Sequence, residues 1–389
     1  MIAELPDAAV GPVSARRRGA ARVPCVLASA GPDGPLADSP RRPELMNAIP
    51  ATMRASVLLE KQRIELQERP VPRAGPGEVL IQVRSVGVCG SDVHYYKEGR
   101  IGDYIVEQPL ILGHEVSGVI VDLGAGVPED RVGERVAVEP QRPCRRCRFC
   151  KTGRQNLCER MEFYATPPID GTFCDYVVAP ADFAHPVPDA MSDHAAALLE
   201  PFSVGIWACT KARVGLGSKV FITGAGPIGA LASLAARSFG AAEVIVTDLV
   251  ESRRNRILKF GATAAFDPRD ADFDAAALAA DAFIECSGAT PAVLSGIDAL
   301  APGGVAVLVG LGAEEMALPV QRIMMKEISL TGVFRYVDTW PKAIAAALQP
   351  ATNLDDLVTA EFDLEDSEAA LNSDADPASM KSIVVVSRG

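Results

Sequence analysis

An apolar run, KVFITG, ends in Gly224-x-Gly226-x-x-Gly229 and passes straight into the small-residue stretch PIGALASLAARSFG; no other feature restricts the fold of this chain as sharply. Glycines at that spacing permit a tight strand-to-helix turn and close backbone approach, so the first N–H groups of the helix face an anion such as a pyrophosphate. Nineteen residues past Gly229 the next β-like run, EVIVTD, ends at Asp248. A carboxylate there accepts hydrogen bonds from an adenosine ribose and repels a 2′-phosphate. Gly224, Gly226, Pro227, Ile228, Gly229, Asp248 and Arg253 are therefore candidate cofactor residues, and NAD is the expected dinucleotide. Arg253 and Arg254 together offer a partner for a phosphate, which keeps NADP as the weaker alternative. From Lys219 onward, strand-like runs alternate with Ala-rich helical stretches as far as GVAVLVGLG and ISLTGVF, the pattern of a doubly wound parallel α/β lobe.

A chain of 389 residues exceeds what one core usually holds, so a second lobe is expected. From Arg54 to about Ser203 the runs EVLIQVRSVGV, VSGVIVDLG and ERVAVEP are short, β-rich and separated by Gly and Pro turns. The closing run KSIVVVS pairs most simply back in that first lobe. The expected division is a β-rich domain over 46–203, a dinucleotide domain over 204–335, and a return to the first domain over 336–389. The first 45 residues, with seven Pro, four Gly, nine Ala and six Arg, lack apolar periodicity and are expected to be unfolded. Arg16, Arg17 and Arg18 before Val23–Ala30 have a faint targeting look, but Pro24 interrupts the stretch. Met46 and Met53 are both candidate starts for the folded part. A net charge of −12 disfavours a nucleic-acid partner, and without an apolar run of about 18 residues no membrane helix is expected. Nine cysteines are too few for a disulfide scaffold, which places the chain in the reducing cytoplasm.

Four of those cysteines, Cys144, Cys147, Cys150 and Cys158, form C-x2-C-x2-C-x7-C, whose spacing lets one loop wrap a tetrahedral ion. Arg142, Arg145, Arg146, Arg148, Lys151 and Arg154 are interleaved and favour thiolates. An iron–sulfur cluster is the competing reading, but the x7 spacing and the missing Cys-Pro depart from the ferredoxin pattern, so structural zinc is expected. A second set is scattered: Cys89 in GVCGSDVH, His114 and Glu115 in LGHE, and Glu200 in LLEP. One thiolate, one imidazole and one carboxylate leave a fourth zinc position open for water or substrate, as catalysis requires. Adjacent His114 and Glu115 point to opposite faces of a regular strand, so both reach one ion only if the backbone there is irregular. Whether Glu115 or Glu200 is the direct ligand stays open.

With these residues assembled, the chain resembles the zinc-dependent medium-chain dehydrogenases of the polyol branch, the group of sorbitol (L-iditol) and xylitol dehydrogenases, from about Arg54 to the C-terminus. The stretches that carry the resemblance are VGVCGSDVHYYKEGRIGDYIVEQPLILGHEVSGVI, ATPPIDGTF, LEPFSVGIWAC, ECSGATPAVLSGIDALAPGGVAVLVGLG and GVFRYVDTWPKAI. It implies a GroES-like catalytic lobe, interrupted by a Rossmann domain and completed by the C-terminal segment, with substrate between the lobes. It further implies Cys89, His114 and Glu115 as ligands of a catalytic zinc, with Glu200 holding or exchanging with the metal-bound water, and a second, structural zinc on the four cysteines. Ser91 and His94 match the family's proton relay; Tyr95, Phe163, Arg335 and Tyr336 match positions lining the polyol pocket. The expected reaction is NAD-linked oxidation of a sugar alcohol at C2 to a ketose. Xylitol stands ahead of sorbitol, because the four-cysteine form resembles bacterial pentitol enzymes. A homo-oligomer, dimer or tetramer, is expected. Threonine or secondary-alcohol oxidation within the same superfamily, and a non-catalytic zinc- and NAD-binding protein, are the alternatives.

Overall fold

Alternation of apolar residues along each strand of the second lobe shows why its sheet is covered on both faces. In the strand Lys219–Thr223, Val220 and Ile222 belong to one buried cluster while Phe221 belongs to another. Val244 and Val246 against Ile245, and Ala282 and Ile284 against Phe283, divide in the same way. Successive strand residues point to opposite faces, so each strand feeds two cores. Six parallel strands result, in the spatial order Ala264–Phe266, Glu243–Thr247, Lys219–Thr223, Ala280–Glu285, Leu300–Leu308, Ser329–Gly332. Numbered within the lobe this order is 3-2-1-4-5-6, the dinucleotide-binding arrangement. The computed structural model describes residues 49–388. The stretch 1–45 and Met46 lie outside the described residues, whereas Met53 sits within the strand Thr52–Glu60, opposite Arg69.

The first lobe is built on a seven-stranded sheet. Its path runs Ala184–Pro186, Arg135–Val138, Glu115–Leu123, Glu78–Gly87, Lys381–Val385, Val358–Asp363, with Tyr176–Pro180 also paired to Glu78–Gly87. The closing strand Lys381–Val385 is therefore antiparallel to Glu78–Gly87, with Ile383 opposite Gly87. Its own buried cluster includes Val79, Ile81, Val83, Val86, Val116, Ile120, Phe173 and Val384. The fold class is a GroES-like lobe joined to a Rossmann lobe, as the sequence indicated.

One helix, Leu199–Lys211, ties the two together. It packs against the helix Pro227–Ser238 of the second lobe and also touches the strand Glu115–Leu123 of the first. Gly205 makes the helix contact possible, since a Cβ there would stand 2.8 Å from the backbone carbon of Leu231. Close packing at that point fixes the first turn of the helix, where Glu200 lies, at the junction of the lobes. Among the described residues no helix is long and apolar enough to cross a membrane.

Candidate active site

The four-cysteine loop closes on itself without disulfides: Cys144, Cys147, Cys150 and Cys158 are all free thiols, and one ligand atom of each lies within 4.8 Å of the other three. Cys147 Sγ stands 3.5 Å from Cys150 Sγ and 3.9 Å from Cys158 Sγ. Tetrahedral zinc with bonds of about 2.3 Å sets its sulfurs roughly 3.8 Å apart, so the spacing fits the ion. Backbone N–H groups support the sulfurs: Cys144 N donates to Cys158 Sγ and Cys147 N to Cys144 Sγ. Donation from the backbone of Arg146 and Cys147 pulls the Cys144 thiol down to about 6. Burial pushes Cys150 up to about 12. Four such sulfurs shed their last protons together only when a cation balances them.

The second set is assembled from three separate segments. Cys89 caps the helix Gly90–Glu98, and Asp92 in its first turn accepts the Cys89 N–H at 3.0 Å. The other oxygen of Asp92 accepts from Gly113 N at 2.9 Å and stands 3.5 Å from His114 Nδ1. Asp92, fully buried, thus fastens the two metal-facing segments to each other and orients the imidazole, the role that outer-shell carboxylates play for metal-bound histidines. Left-handed Gly113, with φ of +87°, breaks the chain just before the strand Glu115–Leu123 begins, and His114 sits in that break. This irregularity brings Cys89, His114 and Glu115 together, their ligand atoms within 4.8 Å of one another.

Register completes the set. Glu115 lies opposite Gly87 across the sheet, and a Cβ on Gly87 would fall 2.0 Å from Glu115 Oε2, so only glycine leaves the carboxylate its space. Lys381 Nζ donates to both Glu115 oxygens, at 2.7 and 2.9 Å, and to Val88 O at 2.8 Å. Glu200 is outside the 4.8 Å cluster; it is buried close by and accepts from the Tyr336 hydroxyl at 2.8 Å. Burial lifts Glu200 to about 7; Glu115 adds to the rise, and His114, Tyr336 and Lys381 oppose it.

The glycine loop lies at the end of the first parallel strand. A Cβ on Gly229 would stand 1.9 Å from Gly224 O, whereas one on Gly226 would meet nothing, leaving room over the start of the helix Pro227–Ser238. Asp248 braces this loop, taking Ala225 N on Oδ2 at 2.7 Å and Val250 N on Oδ1 at 2.8 Å. Arg253 Nε donates to Pro377 O, and Arg254 Nη1 to Asp248 O and Asp267 Oδ2.

Two family models match this chain: the alcohol dehydrogenase GroES-like domain over residues 75–189 and the zinc-binding dehydrogenase domain over residues 227–349. A sorbitol dehydrogenase of Gallus gallus is 42% identical over 78% of this chain and 87% of its own length. One of Bacillus subtilis (strain 168) is 41% identical over 84% and 95%. The crystal structure of L-idonate 5-dehydrogenase from Escherichia coli superposes with a TM-score of 0.82 at 31% identity, covering 86% of this chain and 98% of that one. The chain belongs to the zinc-dependent medium-chain dehydrogenases, in their polyol branch.

In this dehydrogenase the remaining residues singled out from sequence fall around the second metal set. Ser91 and His94 share one face of the helix Gly90–Glu98; Ser91 is half-buried and His94 exposed, and no hydrogen bond joins them among the described residues. Phe163 stands between His114, 5.6 Å from its ring, and the Arg335 guanidinium, 4.5 Å from it. Tyr95 and Tyr336 are buried; burial draws the half-buried Arg335 guanidinium below its ordinary value, with Tyr104, Tyr336 and Tyr95 opposing the fall. Burial lifts the Tyr95 hydroxyl to about 12, so it remains a donor. Asp92 and Lys381 escaped sequence reasoning. The first was hidden inside GSDVH as an ordinary capping acid; the second was visible as the lone cation opening the apolar run KSIVVVS.

Proposed function

We propose that this polyol-branch dehydrogenase oxidises the C2 hydroxyl of an acyclic sugar alcohol to a ketose with NAD, using a catalytic zinc on Cys89, His114 and a carboxylate and a structural zinc on the four-cysteine loop. The observation that carries the substrate reading is Arg335 lying over Phe163, which packs beside His114, with the Tyr336 phenol next to it in the chain and bonded to Glu200. A polyol carries hydroxyls on neighbouring carbons and asks for several fixed donors around the reacting one. A monohydric alcohol asks mainly for apolar walls. Sorbitol stands first and xylitol second, reversing the order read from sequence. That order rested on cysteines of the structural loop, and the relatives reported above are sorbitol dehydrogenases.

When bound, zinc supplies Lewis acidity at the reacting oxygen and the nicotinamide takes up hydride. Ser91 and His94 carry the released proton outward, from a half-buried hydroxyl to an exposed imidazole one helical turn away. Arg335 and Tyr95 donate to the neighbouring hydroxyls, while Tyr336, whose one proton goes to Glu200, orients that carboxylate at the edge of the pocket. The preference for NAD rests on Asp248, the acid that follows the strand Glu243–Thr247 and braces the glycine loop through Ala225 N, and on Arg254, already committed to Asp248 O and Asp267. A homo-oligomer is supported by the edge strand Ser329–Gly332 and the exposed Val320, Met324 and Met325 of the neighbouring helix Val320–Met325.

Initial rates with NAD and with NADP over sorbitol, xylitol, 2-propanol, 2,3-butanediol and L-threonine test this reading. Polyols with NAD should lead; faster oxidation of threonine or a monohydric alcohol than of every polyol would overturn the substrate, and a preference for NADP would overturn the cofactor.

A further inference from the structure

The segment that leaves the edge strand Ser329–Gly332 crosses from the dinucleotide lobe toward the first lobe before the helix Trp340–Ala347 begins. Arg335 lies in the middle of that crossing with φ of +55°, a left-handed conformation that a residue with a Cβ keeps only when its surroundings hold it. Two side-chain amides meet the backbone on either side of it. Asn156 Nδ2 donates to Phe334 O at 2.9 Å, and Gln141 Nε2 donates to Tyr336 O at 3.2 Å while also reaching Glu139 Oε1 at 2.9 Å. Both amides are buried, at 4% and 1% exposure. Among the described residues no donor meets Asn156 Oδ1 or Gln141 Oε1, so each amide is oriented by what its NH2 group gives.

Their positions in the chain carry the argument further. Gln141 stands three residues before Cys144 and Asn156 two residues before Cys158, so one amide adjoins the loop that the four cysteines close and the other lies within it. The carbonyls they hold are 195 and 178 residues away in sequence. Tyr336 in turn donates to Glu200, and the Arg335 guanidinium lies over Phe163 beside His114. We propose that Gln141 and Asn156 are positioning residues, a two-amide clamp through which the four-cysteine loop holds Arg335 and Tyr336 in their working arrangement at the substrate pocket. The proposal deepens the polyol reading and rests on it for the direction of the kinetic effect.

A double-mutant cycle on the zinc-loaded protein tests it. Asn156→Ala, and Asn156→Asp as the isosteric change that removes the donor, should each retain both zinc ions and NAD affinity. Each should lose about 10- to 100-fold in kcat/KM for sorbitol, chiefly through KM, because small misplacements of a positioning group cost on that order. If the clamp acts through Arg335, the Asn156→Ala/Arg335→Ala protein should match Arg335→Ala alone, the losses failing to add. Hydrogen exchange of the peptide spanning 333–338, followed by mass spectrometry, should quicken in both Asn156 variants while the rest of the chain keeps its rates. Additive losses in the cycle, or an unchanged exchange rate at 333–338, would overturn the clamp. A wild type that turns over no polyol would overturn the substrate reading instead, and the exchange measurement would still decide the clamp.

Discussion

The two metal constellations solve one chemical problem in opposite ways. Four cysteines between 144 and 158 form a site from a single loop, with its balancing cations, Arg145, Arg146, Arg148 and Arg154, out in solvent. Cys89, His114 and Glu115 form a site from two segments held together by Asp92 and sheet register, with its balancing cation, Lys381, buried at 3% exposure and locked to Glu115. The first draws its geometry from chain-local spacing, the second from the fold. A site made by one loop contributes to stability, whereas a site made by the fold is free to keep a coordination position open for chemistry.

The largest separation between them should come from removing one thiol from each. Cys89→Ser should leave a folded protein with a single zinc and lower kcat/KM by about three orders of magnitude or more, since the ion supplies several kcal/mol of transition-state stabilisation. Cys147→Ser should mainly lower the melting temperature and the yield of soluble protein, because structural zinc contributes folding energy directly. Metal analysis, circular dichroism and steady-state rates on the same preparations check both. The comparison collapses if Cys147→Ser melts like the wild type, or if Cys89→Ser retains two zinc ions and full turnover. The amide clamp adds one refinement: surviving Cys147→Ser protein should also show a raised KM for polyols, because Gln141 adjoins the loop it loosens and Asn156 lies within it.

How much of each site could be read from sequence follows the same division. The C-x2-C-x2-C-x7-C spacing is visible at a glance, and so is the glycine turn with its acid at Asp248, because both signals lie within a few dozen residues. The Rossmann lobe was legible from strand-helix alternation and the first lobe, from its short runs, as β-rich; its GroES-like character came through the resemblance. The second metal set was legible as scattered ligands of the right chemistry, and the resemblance was needed to favour Glu115 over Glu200, since Cys89, His114 and Glu115 meet by a break at Gly113 and a register that sets Glu115 against Gly87. Lys381, Gln141 and Asn156 act across long sequence distances and Asp92 across only 3 to 21 residues, all through side-chain geometry, and their residue types are commonplace. No periodicity or motif marks a buried lysine that reaches Glu115 from 266 residues away.

A middle-sized effect should separate the two ways of balancing charge. Lys381→Met leaves Glu115 buried without its partner, and breaking a buried ion pair from one side costs about 3–5 kcal/mol. Arg148→Ala removes an exposed cation that lies over Phe149, 4.9 Å from its ring, and exposed charges contribute about 1 kcal/mol or less. Urea unfolding midpoints should therefore fall far more for Lys381→Met, and Lys381→Met/Glu115→Gln should recover most of the loss. Equal midpoints for the two single variants would mean that Lys381 is not the countercharge its contacts describe.

The smallest effect concerns Glu200, the carboxyl beside the fold-built site that stands apart from its cluster. Burial lifts its folded value to about 7, above the ordinary 4.5, with Glu115 adding to the rise. An acid whose value is raised on folding binds its proton more tightly in the native state, so its contribution is present below about 4.5 and is lost as the pH climbs toward 7. In protein stripped of the catalytic ion, Glu200→Gln keeps a neutral acceptor for Tyr336 at every pH and escapes that loss. The variant should therefore melt a few degrees above the wild type at pH 8, and the gap should close at pH 4.5. Zinc reverses the electrostatics: a divalent cation beside Cys89 and His114 favours the ionised carboxylate, so loading the ion should abolish the advantage of the glutamine. Melting curves at both pH values, with and without zinc, separate these cases. An advantage that persisted unchanged on zinc loading would place Glu200 outside the electrical reach of the ion, leaving Glu115 as the carboxylate nearest to it.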